Sequence, residues 1–404
     1  MSEGGVIARR PLFDGRLLVL LAIVLFSLSL RAAITSLTPL LSRISGDLNF
    51  GTTITGAFGM LPTVMFALAG FVAPALGRRI GLEKLTLFAA AATTIGTAGR
   101  GAVSNVIGLL LLMALALAGM GIGNIAIPPL IKRYFGDRIG MMSTVYVCCV
   151  QIGTIVPAAL VIPIADGHGW RTSLAVWALI PFATLWPWFA ISRSSRSTDN
   201  GDEEMRASEG AGPVWRSPVT WGLTVMFATT ALITYAMLTW IPQIITTAGG
   251  SERLGGLMVA VFSLSGLAAA FVTPALCARL ANPYPVVIGC AVCYLVGFAG
   301  LLWFPLTGTV FWMLIVGLGP STFPAAITLI NLRSRTGAGS AALSGFVQGV
   351  GYLVASAGPL VFGLLYELSG HWTLPFEFLL VAVVALLIGS YQACRPRYFE
   401  DTVR

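Results

Sequence analysis

Arg31 is the residue whose type and position point most directly to chemistry. It lies in Leu17–Leu41, an apolar run long enough to cross a bilayer, and sits slightly past its middle. A guanidinium at that depth costs about 2.5–3.5 kcal/mol on insertion scales, so an arginine retained there marks a site inside a helical bundle. Ser27, Thr35 and Thr38 stand at helical spacing from it and are expected on its face. No carboxylate falls in the middle of any apolar run. Asp47, Asp166, Glu252, Glu367 and Glu377 lie at or near the outer ends of runs, and the other acids fall in loops, linker or tails. An arginine without a counter-ion makes its surroundings electropositive, and an anionic solute held by paired hydrogen bonds is then its expected partner. The competing reading is that Arg31 bonds helix-end carbonyls or snorkels outward.

Polar and aromatic residues at similar depth are the candidate walls of such a site. Tyr146 and Gln151 fall in the fifth run, Tyr235 and the more outward Trp240 in the seventh, and Gln348 and Tyr352 on one face of the eleventh. With Arg31 and Thr35 these are the expected substrate contacts. Asn124 and the helix-breaking Pro128 lie in the fourth run and are candidates for a moving segment. Each polar residue has a plainer reading as an interhelical hydrogen-bond partner, and each aromatic as an interfacial anchor. His168 and His371 sit beside tryptophan at equivalent outer loop edges and read as duplicated caps. The glycine-rich stretches around Gly121 and Gly349 lie inside apolar runs, without the strand context a phosphate loop needs. They are expected to let helices approach closely.

These residues need a scaffold, and composition supplies it. The 404 residues are 56% hydrophobic and 10% charged, against about 25% charged in soluble domains. The chain is therefore expected to be an all-α integral membrane protein. Continuous apolar runs exclude a barrel of short alternating strands. Twelve transmembrane helices are expected, at roughly 17–41, 53–76, 84–99, 103–131, 140–165, 172–191, 218–244, 254–277, 283–304, 308–332, 339–366 and 373–394. With both termini in the cytoplasm, 19 of the 24 Lys and Arg fall on cytoplasmic segments and 4 on the outer side, Arg100 among the latter. The net charge of +8 thus reflects topology, and no nucleic-acid partner is expected. The six cysteines, including Cys290-Ala-Val-Cys293, lie in or at the end of apolar runs and read as packing residues.

Ser192–Arg216 carries Asp199, Asp202, Glu203, Glu204 and Glu209 and reads as a flexible cytoplasmic linker. It divides the chain into two six-helix bundles, residues 1–191 and 217–404. The halves echo each other at a spacing of 200. Phe71-Val-Ala-Pro74-Ala-Leu-Gly77-Arg78-Arg79 matches Phe271-Val-Thr-Pro274-Ala-Leu-Cys277-Ala-Arg279, Gly119 matches Gly319, and Arg133 matches Arg333. Duplicated parallel halves are the plan of many secondary transporters, which bind solute between halves near the midplane.

With these motifs in place, the chain resembles the major facilitator superfamily, and within it the branch of cyanate, nitrate/nitrite-type and 2-nitroimidazole permeases. The resemblance covers nearly the whole chain. It is carried by Leu30-Arg31-Ala-Ala-Ile-Thr35-Ser36-Leu37-Thr38-Pro39, Gly123-Asn124-Ile-Ala-Ile-Pro128-Pro129 through Phe135, Gly169-Trp170-Arg171, Tyr235-Ala-Met-Leu-Thr239-Trp240-Ile-Pro242 and Leu343-Ser344-Gly345-Phe-Val-Gln348-Gly-Val-Gly351-Tyr352. Pro74 stands where the superfamily signature usually has an acidic residue, and Ser29 where the branch often has asparagine. The resemblance implies alternating access with Arg31 as the anion contact, and a gating role for Arg78, Arg79 and Arg279.

The expected protein is a monomeric plasma-membrane permease for a small anionic or weakly acidic solute, with the lipid bilayer as its other partner and no cofactor. Efflux of drug-like compounds is the alternative. Membrane-embedded catalysis would need paired catalytic groups or metal ligands within the spans, and the sequence offers none.

Overall fold

The computed structural model describes residues 16–194 and 214–402. The acidic stretch Asp199–Glu209 of the expected linker and the side chain of Arg78 lie outside the described residues. The N-terminal half holds α1 (Leu17–Ser29), α2 (Ala32–Leu37), α3 (Leu41–Leu48), α4 (Thr52–Ile80), α5 (Leu82–Gly99), α6 (Val106–Tyr134), α7 (Ile139–Ala175) and α8 (Leu179–Ser194). The C-terminal half holds α9 (Pro218–Thr247), α10 (Glu252–Arg279), α11 (Tyr284–Trp303), α12 (Thr309–Val316), α13 (Thr322–Leu332), α14 (Gly337–Ala355), α15 (Ala357–Ser369) and α16 (Thr373–Cys394). Among the described residues there is no strand.

Among the described residues, ten segments are long and apolar enough to cross a membrane. One of them, Met141–Arg193, has 53 residues, about twice what a bilayer requires. It reverses at Gly169, whose φ of 78° is costly for any residue with a Cβ. The third expected span is α5, which has only 18 residues and carries Glu83 and Lys84 in its first turn. The reversal and α5 account for the difference from the twelve spans the sequence suggests. Arg16, Ser194, Val214 and Thr402 fall on the near face; the loops after α3, α5, α9, α11 and α15 form the far face.

The first pass departs from the single helix expected. It breaks at Leu30-Arg31, where Arg31 takes φ −128° and ψ −11°. The hydroxyls of Ser27 and Ser29 bond back to the carbonyls of Ile23 (2.6 Å) and Phe26 (2.7 Å), which competes with the helix ladder and loosens its last turn. Pro39 has no N–H to extend α2, and a 3₁₀ turn over Thr38–Leu40 follows. The bend is seated on α7: a Cβ at Gly153 would lie 1.9 Å from the Leu28 carbonyl oxygen, so only glycine permits this approach. Ser27 and Thr35 therefore belong to two separate helices, not to one continuous face.

The core is built from close helix pairs. Without water to expel, helices in lipid gain mainly from van der Waals contact, which favours small residues at crossings. The repeat-related Gly119 and Gly319 both meet the preceding span, at the Ala89 carbonyl and the Tyr294 ring respectively. The halves meet where α7 packs on α10 and where α4 packs on α14 and α15. Large apolar side chains such as Trp186 and Ile388 project outward, two-thirds or more exposed, as a lipid-facing surface requires.

Candidate functional site

The helix break delivers Arg31 to the interface between the halves. Its guanidinium donates from Nη1 to the Tyr235 hydroxyl, which comes from the middle of α9 in the opposite half. The guanidinium carbon stands 5.4 Å from the ring centroid of Phe66 on α4 and 5.7 Å from that of Tyr235. Both distances suit a cation facing an aromatic π-surface. Tyr352 on α14 meets Phe66 edge-on at 5.8 Å and Tyr235 at 6.4 Å, backed by Phe227 at 5.0 Å. Tyr352 and Tyr146 also lie within electrostatic range of the guanidinium. Among the described residues no carboxylate forms a salt bridge with Arg31.

The surrounding polar groups are arranged in tiers. Tyr146 donates to Asn124 Oδ1 at 3.1 Å, joining the fifth and fourth passes. Pro128 lacks the N–H that would bond the Asn124 carbonyl, so α6 is weakened one turn beyond this contact. Gln151 donates across the halves to the Ser263 carbonyl at 3.1 Å. Thr35 is buried and its hydroxyl faces the Arg31 carbonyl at 3.3 Å, supporting the break more directly than any ligand.

Two residues expected as solute contacts make their hydrogen bonds within the C-terminal half. Trp240 is fully buried, donates to the Pro359 carbonyl at 2.9 Å and packs on Phe362 and Trp372. It is a strut of the C-terminal half, because its face of α9 turns into that half. Gln348 shares a helical face with Tyr352, but its amide is used one turn back, donating to Ser344 Oγ at 2.7 Å. Arg79 and Arg279 end exposed at the near-face ends of α4 and α10.

Sequence reasoning missed Phe66, one phenylalanine among 22 in the chain, with no polar signal to mark it. It also misread Arg100. That residue is not an outer-loop base but fully buried, donating to the Ala33 carbonyl at 2.8 Å and lying 3.4 Å from Met113 Sδ. Its Nε has no partner among the described residues. Its signal was weak: a Gly99-Arg100-Gly101 loop looks solvated.

The far face carries further polar contacts that join the halves. Arg43 pairs with Asp166 of its own half at 2.8 Å and with Glu252 of the other. Glu367 accepts from Thr52 at 2.8 Å and from Thr53 at 2.6 Å, again across the halves. A Cβ at Gly59 would lie 2.7 Å from Pro359 Cβ, and one at Gly256 2.9 Å from the Ala158 carbonyl.

An arginine donor fork between two helical halves, one side of which is closed, is the arrangement of a solute carrier. The family model of the Major Facilitator Superfamily matches residues 17–356. The chain belongs to the Major Facilitator Superfamily. It is accordingly a transporter and a multi-pass membrane protein. It is 30% identical to the "Uncharacterized transporter YycB" of Bacillus subtilis, covering 93% of each chain. It is 29% identical to the "2-nitroimidazole transporter" of Escherichia coli, over 95% of this chain and 96% of that one. It is 26% identical to the "Cyanate transport protein CynX" of the same organism, over 94% and 98%. Among solved structures it resembles the Escherichia coli xylose transporter XylE in a partially occluded inward-open conformation, with TM-score 0.73, 11% identity and coverage of 93% and 97%.

Proposed function

We propose that this member of the superfamily carries a small anionic or weakly acidic solute across the plasma membrane by alternating access, with the near face and both termini cytoplasmic. The observation that carries the reading is Arg31: a guanidinium at the interface of the halves whose hydrogen-bond partner is a neutral phenol. Arginine presents five N–H donors in a planar fork. One is used by Tyr235, and the others suit the paired oxygen or nitrogen acceptors of a small planar anion. Because Tyr235 accepts from Arg31, its own O–H remains a donor toward the same solute. Tyr352 closes one wall, Tyr146 and Gln151 line the approach, and the Tyr146–Asn124 contact above Pro128 supplies a segment able to bend. The two halves, residues 1–191 and 217–404, are proposed to rock as bundles about this site, with the linker between them and Arg79 and Arg279 at the near-face hinge. The names of the cyanate and 2-nitroimidazole relatives agree with a compact planar solute.

Purified protein is to be screened by thermal shift against cyanate, nitrate, nitrite and short carboxylates, since a ligand that binds the native state raises its apparent stability. Uptake of the best ligand is then measured in proteoliposomes. Arg31→Ala is expected to abolish both the shift and the uptake with little change in apparent melting temperature, and Arg31→Lys to restore only a minor part, because an ammonium lacks the planar fork. Full uptake by Arg31→Ala would falsify the reading.

A second reading, export of nitroimidazole-type compounds, is favoured by the rings of Phe66, Tyr235 and Tyr352 around the guanidinium. It predicts a shift with 2-nitroimidazole that persists in Arg31→Ala.

A further inference from the structure

Arg31 is partly satisfied from within the protein, and the groups that do so come from both halves. Tyr235 of the C-terminal half supplies the acceptor, while Phe66 of the N-terminal half faces the cation from another side. Tyr235 is 3% exposed and Tyr352 9%, while Arg31 itself is half-buried, so the guanidinium has lost part of its contact with water. In the same structure the far face is held closed by Arg43–Glu252 and by Glu367 with Thr52 and Thr53. A guanidinium that gave up that contact with no partner would resist such closure, because it would have lost hydration without replacement. A carrier built that way closes only around an anion and is confined to one-for-one exchange. Here a phenol oxygen and two ring faces replace part of the lost hydration. The replacement is also graded. A neutral acceptor bonds a cation less strongly than an anion does, so a charged solute still displaces the phenol.

We propose that Tyr235, backed by Phe66, lets this transporter switch its open side without solute, so that it performs net transport down a gradient and not obligatory exchange. The proposal rests on Arg31 being the solute contact. In the cycle, Tyr235 Oη accepts from Arg31 when no anion is bound. When an anion takes over the guanidinium, the same hydroxyl rotates and donates to it. No proton leaves the phenol in either role.

The test uses the full-length protein in proteoliposomes with ¹⁴C-cyanate as probe. Net uptake into vesicles lacking internal cyanate is compared with counterflow into vesicles preloaded with unlabelled cyanate. The native protein is expected to do both at rates within about threefold. The ratio of net uptake to counterflow is the readout, since it cancels changes in solute affinity or in the amount of folded protein. Loss of a hydrogen bond to a charged group justifies an expected fall in that ratio of about tenfold or more for Tyr235→Phe, and a smaller fall for Phe66→Leu. Counterflow without net uptake in the native protein overturns the proposal, as does a native ratio in Tyr235→Phe. If Tyr235→Phe does not fold, an unchanged ratio in Phe66→Leu overturns it. Arg31→Ala separates the two claims: full rates in both assays would remove Arg31 as the solute contact, whereas loss of both with an unchanged Tyr235→Phe ratio would remove only the present inference.

Discussion

The two ends of the interface between the halves are built differently. At the far end, charged and hydroxyl groups cross from one half to the other, and glycines bring the backbones together: Arg43 reaches Glu252, Thr52 and Thr53 reach Glu367, and Gly59 and Gly256 leave no room for a side chain. At the near end three pairs among the described residues each stay within a single half: Arg16 with Asp137 at 2.7 Å, Arg133 with Glu83 at 2.8 Å and Arg335 with Asp401 at 2.8 Å. Gly345 on α14, at the near end of the interface, is exposed and would meet nothing within 4 Å. On the proposed rocking of the halves, the near-end pairs would stiffen each half, while the far-end contacts would decide whether the halves touch: one end would supply rigidity and the other the switch.

The comparison is most sharply broken by a wedge. Gly59→Leu would drive a side chain into Thr239, whose Oγ1 lies 2.3 Å from the position of the new Cβ. Overpacking of this kind costs about 1–3 kcal/mol, enough to shift a two-state balance roughly tenfold or more. Thr55, 6% exposed at this interface, makes a suitable reporter. In a background cleared of the six native cysteines, Thr55→Cys should react with an impermeant maleimide about tenfold faster or more when Gly59→Leu is added. Transport should stop. An unchanged alkylation rate would mean that the far end is not the moving one.

A milder break is Arg43→Gln. Arg43 and Glu252 are each about a third exposed and Asp166 more than half, so solvent screens the pairs. Exposed ion pairs contribute about 0.2–1 kcal/mol each. The same reporter should speed up by roughly two- to fivefold. High salt should narrow the difference between native and variant, because screening weakens the native pairs.

The smallest effect is expected at the near end. Arg16 donates to Asp137 and holds its carboxyl below the ordinary carboxylate range. A depressed folded value means that this carboxylate stabilises the fold above the unfolded pKa of about 3.9 and ceases to do so as pH falls through the depressed value. Asp137→Asn should therefore lower the melting temperature by a constant small amount between about pH 5 and 8, with the gap to the native protein closing toward pH 3. The Thr55→Cys alkylation rate should not move. If it does, the near-end pairs are part of the switch.

The sequence was informative where the signal was a cost or a repetition. An arginine inside an apolar run is costly enough to notice, and the echoes of Phe71–Arg79 and Gly119 in the second half stand at a fixed spacing. The overall helical architecture followed from apolar run lengths alone. What stayed hidden depends on direction. Trp240 and Tyr235 lie five residues apart on α9, yet one turns into its own half and the other across the interface. Gln348 spends its amide on Ser344, a local bond that no spacing rule ranks above a ligand. The break at Arg31 carries neither glycine nor proline at the break itself. It comes from hydroxyls at Ser27 and Ser29 bonding backward, and from an opposing glycine more than a hundred residues away.

Arg100 bears on how the molecule is made. Its charge must enter the bilayer region with the third pass and then be taken out of water altogether. The acceptor nearest to it, the Ala33 carbonyl, belongs to the first pass, which leaves the ribosome earlier; Met113 belongs to the fourth, which leaves later. The chain thus makes the acceptor for this guanidinium before the arginine and part of its enclosure afterwards. Packing of the passes in the order they are made would shelter the charge without requiring the third pass, which has only 18 helical residues, to insert on its own hydrophobicity.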